Sequence, residues 1–348
     1  MQLLLHPRTL PLADPFRVAH ETRTDQPTLI VELRAGGLSG FGEAPLTRYY
    51  GLDPARCLAS LQTLAPAFAP YDFAEFPTHM REFLVKRAPG LHPFLVCALD
   101  VALEDLRARH AGLPLRAYWN DRGQSGAATA GPPPTCYTIG LAPVAEMVRK
   151  LRAKSWPVYK IKLGGGGDDV ATVRALRQHT DAPFYVDANT GWTAEQTIAY
   201  SHELAELGVV FIEQPLPVAD RAGQRRVYEG SALPLMADES CQTAGDVVRC
   251  LDLFHGVNIK IVKCGGLTPA RTMIGQARRL GLRVMAGCMT ESSFGISAIA
   301  QLLPQLDYAD LDGAMLLAED PGVGVTFDPA TGQAVYPDEN GTGARWRT

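Results

Sequence analysis

The stretch VYKIKLGGGGDDVATVRALRQHTDAPFYVDAN, residues 158–189, decides the fold. It begins with a short apolar run, VYKIKLG, continues through an amphipathic segment, and ends with a second apolar run, FYVDAN. A strand, a helix and a second strand in this order predict parallel strands covered by a helix. Lys160 and Lys162 lie two residues apart in the first run, so their side chains point to the same face of the predicted sheet.

The same alternation of strand and helix patterns recurs through residues 133–320. Eight apolar runs alternate with amphipathic stretches: TCYTIG, VYKIKLG, FYVDAN, VVFIEQP, LPLMADES, VNIKIVKCGG, LRVMAGCM and YADLDGAM. The alternation predicts an α/β fold with a parallel sheet, and eight repeats favour closure into a TIM-like (β/α)8 barrel. An open doubly wound sheet is the alternative.

Residues 1–122 are predicted to form a separate domain of mixed helices and strands. TLIVELRAGGLSGFGEA, residues 28–44, predicts two strands joined by a glycine-rich turn. Apolar helical periodicity follows in PARCLASLQTLAPAF and HPFLVCALDVALEDLRARHAG. The small-residue and proline-rich segment 123–135 is the predicted linker to the barrel. We expect the tail, residues 321–348, to return to the first domain and its strands to pair there.

Composition and charge limit the possible partners. The 348 residues are 46% hydrophobic and 20% charged, with a net charge of −4. Nucleic acid and anionic membranes are not expected partners, because there is no excess of basic residues. No run approaches the roughly 20 apolar residues of a membrane span. Seven scattered cysteines and an N-terminus without a signal-peptide pattern predict a reduced, cytoplasmic protein.

Three acids end three successive predicted strands at the same height: Asp187, Glu213 and Asp238. Chemistry in such barrels takes place at the carboxyl ends of the strands. Three carboxylates held together repel one another, and a divalent cation removes that repulsion. Oxygen ligands favour Mg²⁺ over Zn²⁺. The alternative is that each acid caps a helix or lies on the surface, but three in register favour one Mg²⁺ site.

Lysines are predicted to face this metal site from two sides. Lys162, buried beside Lys160, would lose its proton more easily than a free lysine and is a candidate general base. Lys263 ends the sixth barrel strand, nearly opposite the second. Lys260 lies three residues before Lys263, so in an extended strand the two side chains point to opposite faces. We therefore expect only Lys263 to point inward. The alternative is a set of solvated lysines at the barrel rim.

Two bases that face each other across a metal can invert a stereocentre. One removes a proton from carbon, and the other returns a proton to the opposite side. General-base catalysis alone contributes about 10²–10⁴ in rate, so the metal must stabilise the enediolate formed next to a carboxylate.

The chain resembles the enolase superfamily, in its muconate-lactonising-enzyme-like subgroup. YKIKLG resembles the Lys-x-Lys motif of that subgroup, while VDANTGW, FIEQPLP and ADES resemble its three metal-ligand segments. NIKIVKCGGLT resembles the segment that carries a second catalytic lysine. The resemblance covers the whole chain and implies a modified (β/α)7β barrel with an α+β capping domain. It also implies an Mg²⁺-stabilised enediolate, with Lys160 as a neighbour that tunes Lys162.

DLDGAML points to a substrate class within that subgroup. Asp310 and Asp312 share parity and resemble the Asp-x-Asp motif with which dipeptide epimerases hold the ammonium group of their substrate. Such a pair would repel the anionic substrates of the muconate-lactonising enzymes and o-succinylbenzoate synthases. The alternative is that both acids cap a turn. The resemblance therefore implies epimerisation of the C-terminal residue of an L,L-dipeptide. A cell-wall Ala-Glu peptide is the default substrate, and a hydrophobic or cationic dipeptide is the alternative.

Loops of the first domain, at residues 16–24 and 47–52, are expected to close over the barrel. They would contact the side chains of the substrate and determine specificity. The candidate contacts are Arg17, His20, Arg23 and Tyr50, with Cys288 at the end of the seventh strand. Homo-oligomers are common among such barrels, so one is expected here. Two other functions stay open: a lyase or cycloisomerase that uses one lysine, and a non-catalytic barrel that binds a carboxylate.

Overall fold

The computed structural model describes residues 1–18, 21–77, 79–123 and 131–348, with the side chains of residues 17, 18 and 21 left out. The first domain contains an antiparallel sheet of β1 (Gln2–Val18), β2 (Glu21–Ala35) and β3 (Leu38–Pro45). Gly36 and Gly37 have φ values of 57° and 78° in the turn between β2 and β3. These left-handed conformations suit glycine, and the predicted glycine-rich turn is confirmed.

The helices of the first domain are α1 (Pro54–Leu64), α2 (Met80–Arg87), α3 (Pro93–His110) and α4 (Leu115–Asp121). Helices α1 and α3 pack against this sheet, and α2 and α4 pack on α3. Helix α3 is buried on most sides, which explains its long apolar pattern. It comes close to β3 because Gly42 has no side chain there: a β-carbon would collide with the carbonyl oxygen of Ala98.

Eight parallel strands form the barrel in sequence order. They are β4 (Tyr137–Ile139), β5 (Tyr159–Lys162), β6 (Phe184–Asp187), β7 (Val209–Glu213), β8 (Leu235–Ala237), β9 (Gly256–Ile259), β10 (Arg283–Gly287) and β11 (Tyr308–Asp310). A single bridge between Thr135 and Ala309 joins the first and last strands. The predicted barrel is therefore confirmed, and the open sheet is excluded.

Helices lie between successive barrel strands. They are α5 (Val144–Ala153), α6 (Asp169–Arg177), α7 (Ala194–Glu206), α8 (Arg221–Gly230), α9 (Ala244–Arg249), the short α10 (Ile261–Cys264) with α11 (Leu267–Arg279), and α12 (Ser293–Ala300). β11 is followed by a 3₁₀ turn rather than an α-helix, which gives the (β/α)7β form. Among the described residues, no helix is long and apolar enough to cross a membrane.

The C-terminal tail pairs with itself, so the expected pairing with strands of the first domain is wrong. β12 (Gly322–Val323) pairs with β15 (Arg345–Trp346), and β13 (Thr326–Phe327) pairs with β14 (Ala334–Val335). The tail reaches the first domain by an isolated bridge between Gly341 and Pro114 and by contacts with α3. Asp105 accepts a hydrogen bond from the backbone N–H of Thr342 at 2.6 Å, and Arg109 donates to the carbonyl of Ala344 at 2.6 Å. Of the predicted linker, residues 124–130 lie outside the described part of the chain.

Candidate active site

Parallel strand register brings the charged residues together at the carboxyl ends of the barrel strands. Lys162 on β5 lies beside Asp187 on β6, which lies beside Glu213 on β7. Asp238 follows the last residue of β8. The opposite end of the barrel is filled by apolar side chains: Cys136, Val158, Tyr185, Phe211, Met236 and Met285. The barrel is therefore packed below the site and charged at its mouth.

One carboxylate oxygen from each of Asp187, Glu213 and Asp238 lies within 4.8 Å of the other two, and the three residues are buried. Burial and the neighbouring Asp187 raise the pKa of Glu213 to about 6. Burial also acts to raise the pKa of Asp187 and of Asp238, but adjacent lysines outweigh it and lower both. Asp187 and Asp238, which lie on either side of Glu213, are therefore ionised.

These three residues fit a divalent cation. Glu213 Oε2 is buried and makes no hydrogen bond of acceptable geometry, although Lys160 Nζ lies 2.8 Å away. Its other oxygen accepts a hydrogen bond from Asn258 Nδ2 at 2.8 Å, which fixes the carboxylate plane. The donor set consists of carboxylate oxygens, as hard cations such as Mg²⁺ require. Asp187, Glu213 and Asp238 would hold the ion.

Two lysines approach the triad from opposite sides of the barrel. Lys162 Nζ lies 2.6 Å from Asp187 Oδ2, and Lys263 Nζ lies 2.6 Å from Asp238 Oδ1. Lys162 ends β5 and Lys263 follows β9, and these two strands are four positions apart in the eight-stranded sheet. Burial lowers the pKa of Lys263, but Asp238 outweighs it and the net shift is upward.

The expectation that Lys260 points away from the site is wrong. Strand β9 ends at Ile259, and residues from Ile261 onward turn into the short helix α10. A helical turn brings residues three apart to the same side, whereas a strand separates them. Lys260 Nζ therefore also reaches Asp238, at 2.9 Å from Oδ2, and each oxygen of that acid contacts one lysine.

Lys160 lies beneath the triad and is completely buried. Its Nζ is 3.1 Å from Asp187, 2.8 Å from Glu213 and 2.8 Å from Asp310. Burial lowers the pKa of this lysine, but the three carboxylates together raise it well above its ordinary value. The Lys160 ammonium is therefore a permanent charge that links the metal-ligand acids to Asp310.

Asp310 and Asp312 are both buried at the wall of the cleft. Asp310 Oδ1 accepts a hydrogen bond from Cys136 Sγ at 3.3 Å, and Asp312 Oδ2 accepts one from the backbone N–H of Thr138 at 2.6 Å. Burial and the charge of Asp310 raise the pKa of Asp312 to about 7, whereas burial of Asp310 is outweighed by Lys160 and its pKa is lowered. The pair therefore offers the cleft at least one negative charge.

The first domain closes one side of the cleft. Phe16, Arg23, Thr47, Tyr49 and Tyr50 line it together with Cys288, Met289 and Leu316 of the barrel domain. The ring centroid of Tyr50 is 5.7 Å from Lys263 Nζ, and Arg23 Nη1 donates to Gln26 Oε1 at 2.5 Å.

Burial raises the pKa of the Cys288 thiol well above its ordinary value, so this side chain is neutral. Of the other predicted side-chain contacts, His20 and the side chain of Arg17 lie outside the described residues.

The sequence analysis missed polar residues that orient the charged groups. Asn258, Thr138 and Cys136 each hydrogen-bond a site carboxylate. The parity argument that turned Lys260 outward also turned Asn258 outward, because Asn258 lies two residues before Lys260 in the strand. Thr138 bonds Asp312 through its backbone N–H as well as its side chain, and a single threonine in a strand carries no sequence signal for this contact.

Comparisons with known proteins place both parts of the chain. Residues 2–118 match the N-terminal domain of the mandelate racemase / muconate lactonizing enzyme family, and residues 143–347 match the enolase C-terminal domain-like family. The chain is 47% identical over 345 residues to the L-Ala-D/L-amino acid epimerase of Flavobacterium johnsoniae, covering 99% of each protein. It is 34% identical over 310 residues to the L-Ala-D/L-Glu epimerase of Escherichia coli, covering 89% of this chain and 92% of the other.

Solved structures agree with these matches. The dipeptide epimerase of Methylococcus capsulatus complexed with Mg and L-Arg-D-Lys has a TM-score of 0.86 at 31% identity, covering 99% of this chain and 100% of the other. A substrate complex of the L-Ala-D/L-Glu epimerase of Bacillus subtilis has a TM-score of 0.87 at 25% identity, covering 99% and 98%. The chain therefore belongs to the mandelate racemase / muconate lactonizing enzyme family of the enolase superfamily.

Proposed function

We propose that this protein is an Mg²⁺-dependent dipeptide epimerase that inverts the α-carbon of the C-terminal residue of an L,L-dipeptide. The observation that carries the proposal is the placement of Lys162 and Lys263 on opposite sides of one carboxylate triad. A lyase or cycloisomerase needs only one of these bases, and a carboxylate-binding barrel needs neither.

The two lysines divide the proton transfer between them. In the L-to-D direction, one lysine starts neutral and takes the α-proton, while the electron pair of the broken C–H bond moves into the adjacent carboxylate as an enediolate. The other lysine starts protonated and delivers its proton to the opposite side of the α-carbon. The reverse reaction exchanges their roles.

Charge stabilisation makes this transfer possible. Asp187, Glu213 and Asp238 would hold Mg²⁺, which would supply Lewis-acid stabilisation of the developing negative charge. Lys160 adds a buried positive charge beneath the same acids, in contact with two of them. These acids and Lys160 are buried, and electrostatic stabilisation in a buried site is stronger than in bulk water.

Asp310 and Asp312 are the proposed ligands of the substrate ammonium group. Both carboxylates line the cleft. They lie at the end of β11, which the bridge that closes the barrel places on the Lys162 side of the site. A dipeptide whose carboxylate lies at the metal site would direct its N-terminus toward them. An ammonium group between two buried carboxylates would form charge-assisted hydrogen bonds.

We infer that L-Ala-L-X dipeptides are the substrate class. Two relatives, 47% and 45% identical to this chain, are named L-Ala-D/L-amino acid epimerases, and the E. coli relative is an L-Ala-D/L-Glu epimerase. Arg23 and Tyr50 line the cleft from the first domain and would contact the side chain of X. The Arg23 guanidinium favours an acidic X, such as the glutamate of a cell-wall peptide. Peptidoglycan peptide metabolism is the corresponding proposed role.

We also propose that the enzyme works in the cytoplasm as a homo-oligomer. All seven cysteines are free thiols, which supports a reducing compartment. Fractionation with an antibody and light scattering of the purified protein test these two points separately.

Solvent exchange tests the function. The full chain is incubated with Mg²⁺ and a panel of L-Ala-L-X dipeptides in D₂O, and mass and stereochemistry are followed together. We expect deuterium at the α-carbon of X together with formation of the L,D isomer. Loss of water or ring formation would instead identify a lyase or cycloisomerase, and the absence of any exchange across the panel would favour a binding protein.

A further inference from the structure

The segment that carries Lys263 is a sharp turn with little regular structure of its own. The Lys263 turn, residues 260–266, contains one helical turn, α10, followed by two glycines. Gly265 and Gly266 have φ values of 94° and 125°, and the backbone N–H of Gly266 donates to the carbonyl of Ile261 at 2.8 Å. A single helical turn is not stable by itself, because nucleation costs more than one hydrogen bond returns. Its position therefore depends on external contacts.

Helix α11, which follows the turn, lacks a cap from its own sequence. Its N-cap residue is Gly266, which has no side chain to accept a hydrogen bond from the first-turn N–H groups. The missing acceptor comes from the other domain: Asp100 on α3 accepts a hydrogen bond from the backbone N–H of Thr268 at 3.0 Å. Asp100 is only 3% exposed, so this carboxylate is committed to the domain contact.

The contact between α3 and the turn leaves no room for a side chain at Gly266. A β-carbon on Gly266 would collide with Asp100 Oδ2, and one on Gly265 would lie 3.4 Å from Val96 Cγ1. Gly266 therefore serves the approach of α3 as well as the left-handed backbone. It contacts Asp100 and also hydrogen-bonds Ile261, which lies two residues before Lys263 in the same helical turn.

We propose that Asp100, which lies in the first domain, is a positioning residue that fixes Lys263 for proton transfer. The inference rests on the proposed function and names a part of the machinery outside the barrel. Lys162 has no such dependence, because β5 is hydrogen-bonded between β4 and β6. Asp100 should therefore control one of the two proton transfers and leave the other unchanged.

Isomer-specific exchange distinguishes the two transfers. Lys162→Ala and Lys263→Ala first identify which isomer of the best L-Ala-X substrate each lysine deprotonates in D₂O. In Asp100→Ala, with Mg²⁺ and at a pH above 8, we expect exchange from the Lys263 isomer to fall about 10²-fold and exchange from the Lys162 isomer less than about threefold. Asp100→Asn keeps an acceptor oxygen and should restore most of the lost exchange.

Asp105→Ala is the matched control. Asp105 lies on the same helix, is fully buried, and also accepts backbone hydrogen bonds, from Phe41 N–H at 2.8 Å and Thr342 N–H at 2.6 Å. Neither partner belongs to the Lys263 turn. We expect a lower unfolding temperature with an unchanged ratio of the two exchange rates. If Asp100→Ala does not fold, Asp100→Ser, whose hydroxyl is too short to reach Thr268, is measured in the same way.

The outcomes separate the inference from the function on which it rests. Exchange by the wild type with an unchanged isomer ratio in Asp100→Ala, or an equal loss for both isomers, overturns the positioning role and leaves the epimerase proposal intact. No exchange by the wild type from any L-Ala-X substrate overturns both.

Discussion

The two sides of the site achieve the same contact in different ways. On one side, Lys162 is the last residue of a central strand and contacts Asp187 at 2.6 Å. On the other, Lys263 lies on a one-turn helix after its strand and contacts Asp238 at the same distance. The first lysine is fixed by the barrel sheet, whereas the second is fixed by a turn that the first domain holds.

Under the proposed positioning role of Asp100, proton transfer on both sides of the α-carbon requires both domains. The barrel carries the triad, Lys162 and Lys263. The contact between α3 and the Lys263 turn would fix the second lysine, and residues of the first domain line the cleft. Two-base epimerisation would then depend on how the domains are packed, whereas exchange by Lys162 alone would depend on the barrel.

The largest expected effect comes from removing either lysine. Lys263→Ala should abolish epimerisation, by at least about 10³-fold, because no second group can deliver the proton to the opposite side. Exchange without inversion should persist for the isomer that Lys162 serves. Chiral chromatography combined with mass spectrometry in D₂O measures both quantities. Full epimerisation in this variant would refute the two-base assignment.

Glu213→Gln should impair both sides equally. Glu213 is the central acid of the triad, so its loss weakens the metal site that both proton transfers share. We expect Mn²⁺ affinity to fall by more than about 100-fold, because loss of a residue that only orients a metal ligand already costs about 10–100-fold. Exchange from both isomers should fall in parallel. Isothermal titration with Mn²⁺ gives the affinity independently of activity. An effect on one isomer alone would show that the two sides do not share one metal site.

The sequence predicted the site around Lys162, which lies on a strand, better than the site around Lys263, which lies on a turn. The two-residue spacing of Lys160 and Lys162 is a property of a strand and could be extended to Asp187 and Glu213 by parallel register. The parity argument failed for Lys260, because it assumed that β9 continued beyond Ile259. The role of Asp100 is absent from any local pattern, since it depends on a contact between residues 168 positions apart.

The ammonium site is expected to act on substrate binding rather than on either proton transfer. Asp312→Asn removes one negative charge from the cleft and keeps the hydrogen bond from Thr138 within reach of the amide oxygen. We expect KM for L-Ala-L-X to rise about 10-fold, from the loss of one charge-assisted hydrogen bond, with the isomer ratio unchanged. N-acetylated dipeptides, which lack the ammonium group, provide the control. Equal losses for both substrate types would contradict the role of the pair.

The domain contact that holds the Lys263 turn should also make stability depend on pH. Burial, with the nearby charge of Glu104, raises the pKa of Asp100 to about 7 from an ordinary value of 3.8. Between these values the folded protein holds a proton that the unfolded chain has lost, so stability present at low pH decreases as the pH rises toward 7. We expect Asp100→Asn to reduce this decrease by about 1–3 kcal/mol in urea unfolding between pH 4 and pH 8.

Asp14→Asn, a substitution of a side chain that is 58% exposed, is the control and should leave the pH dependence unchanged. An identical slope in the wild type and Asp100→Asn would mean that the carboxyl group at this contact is already ionised at low pH. The Lys263 turn would then be held by a permanent charge, and its position would not change with pH over this range.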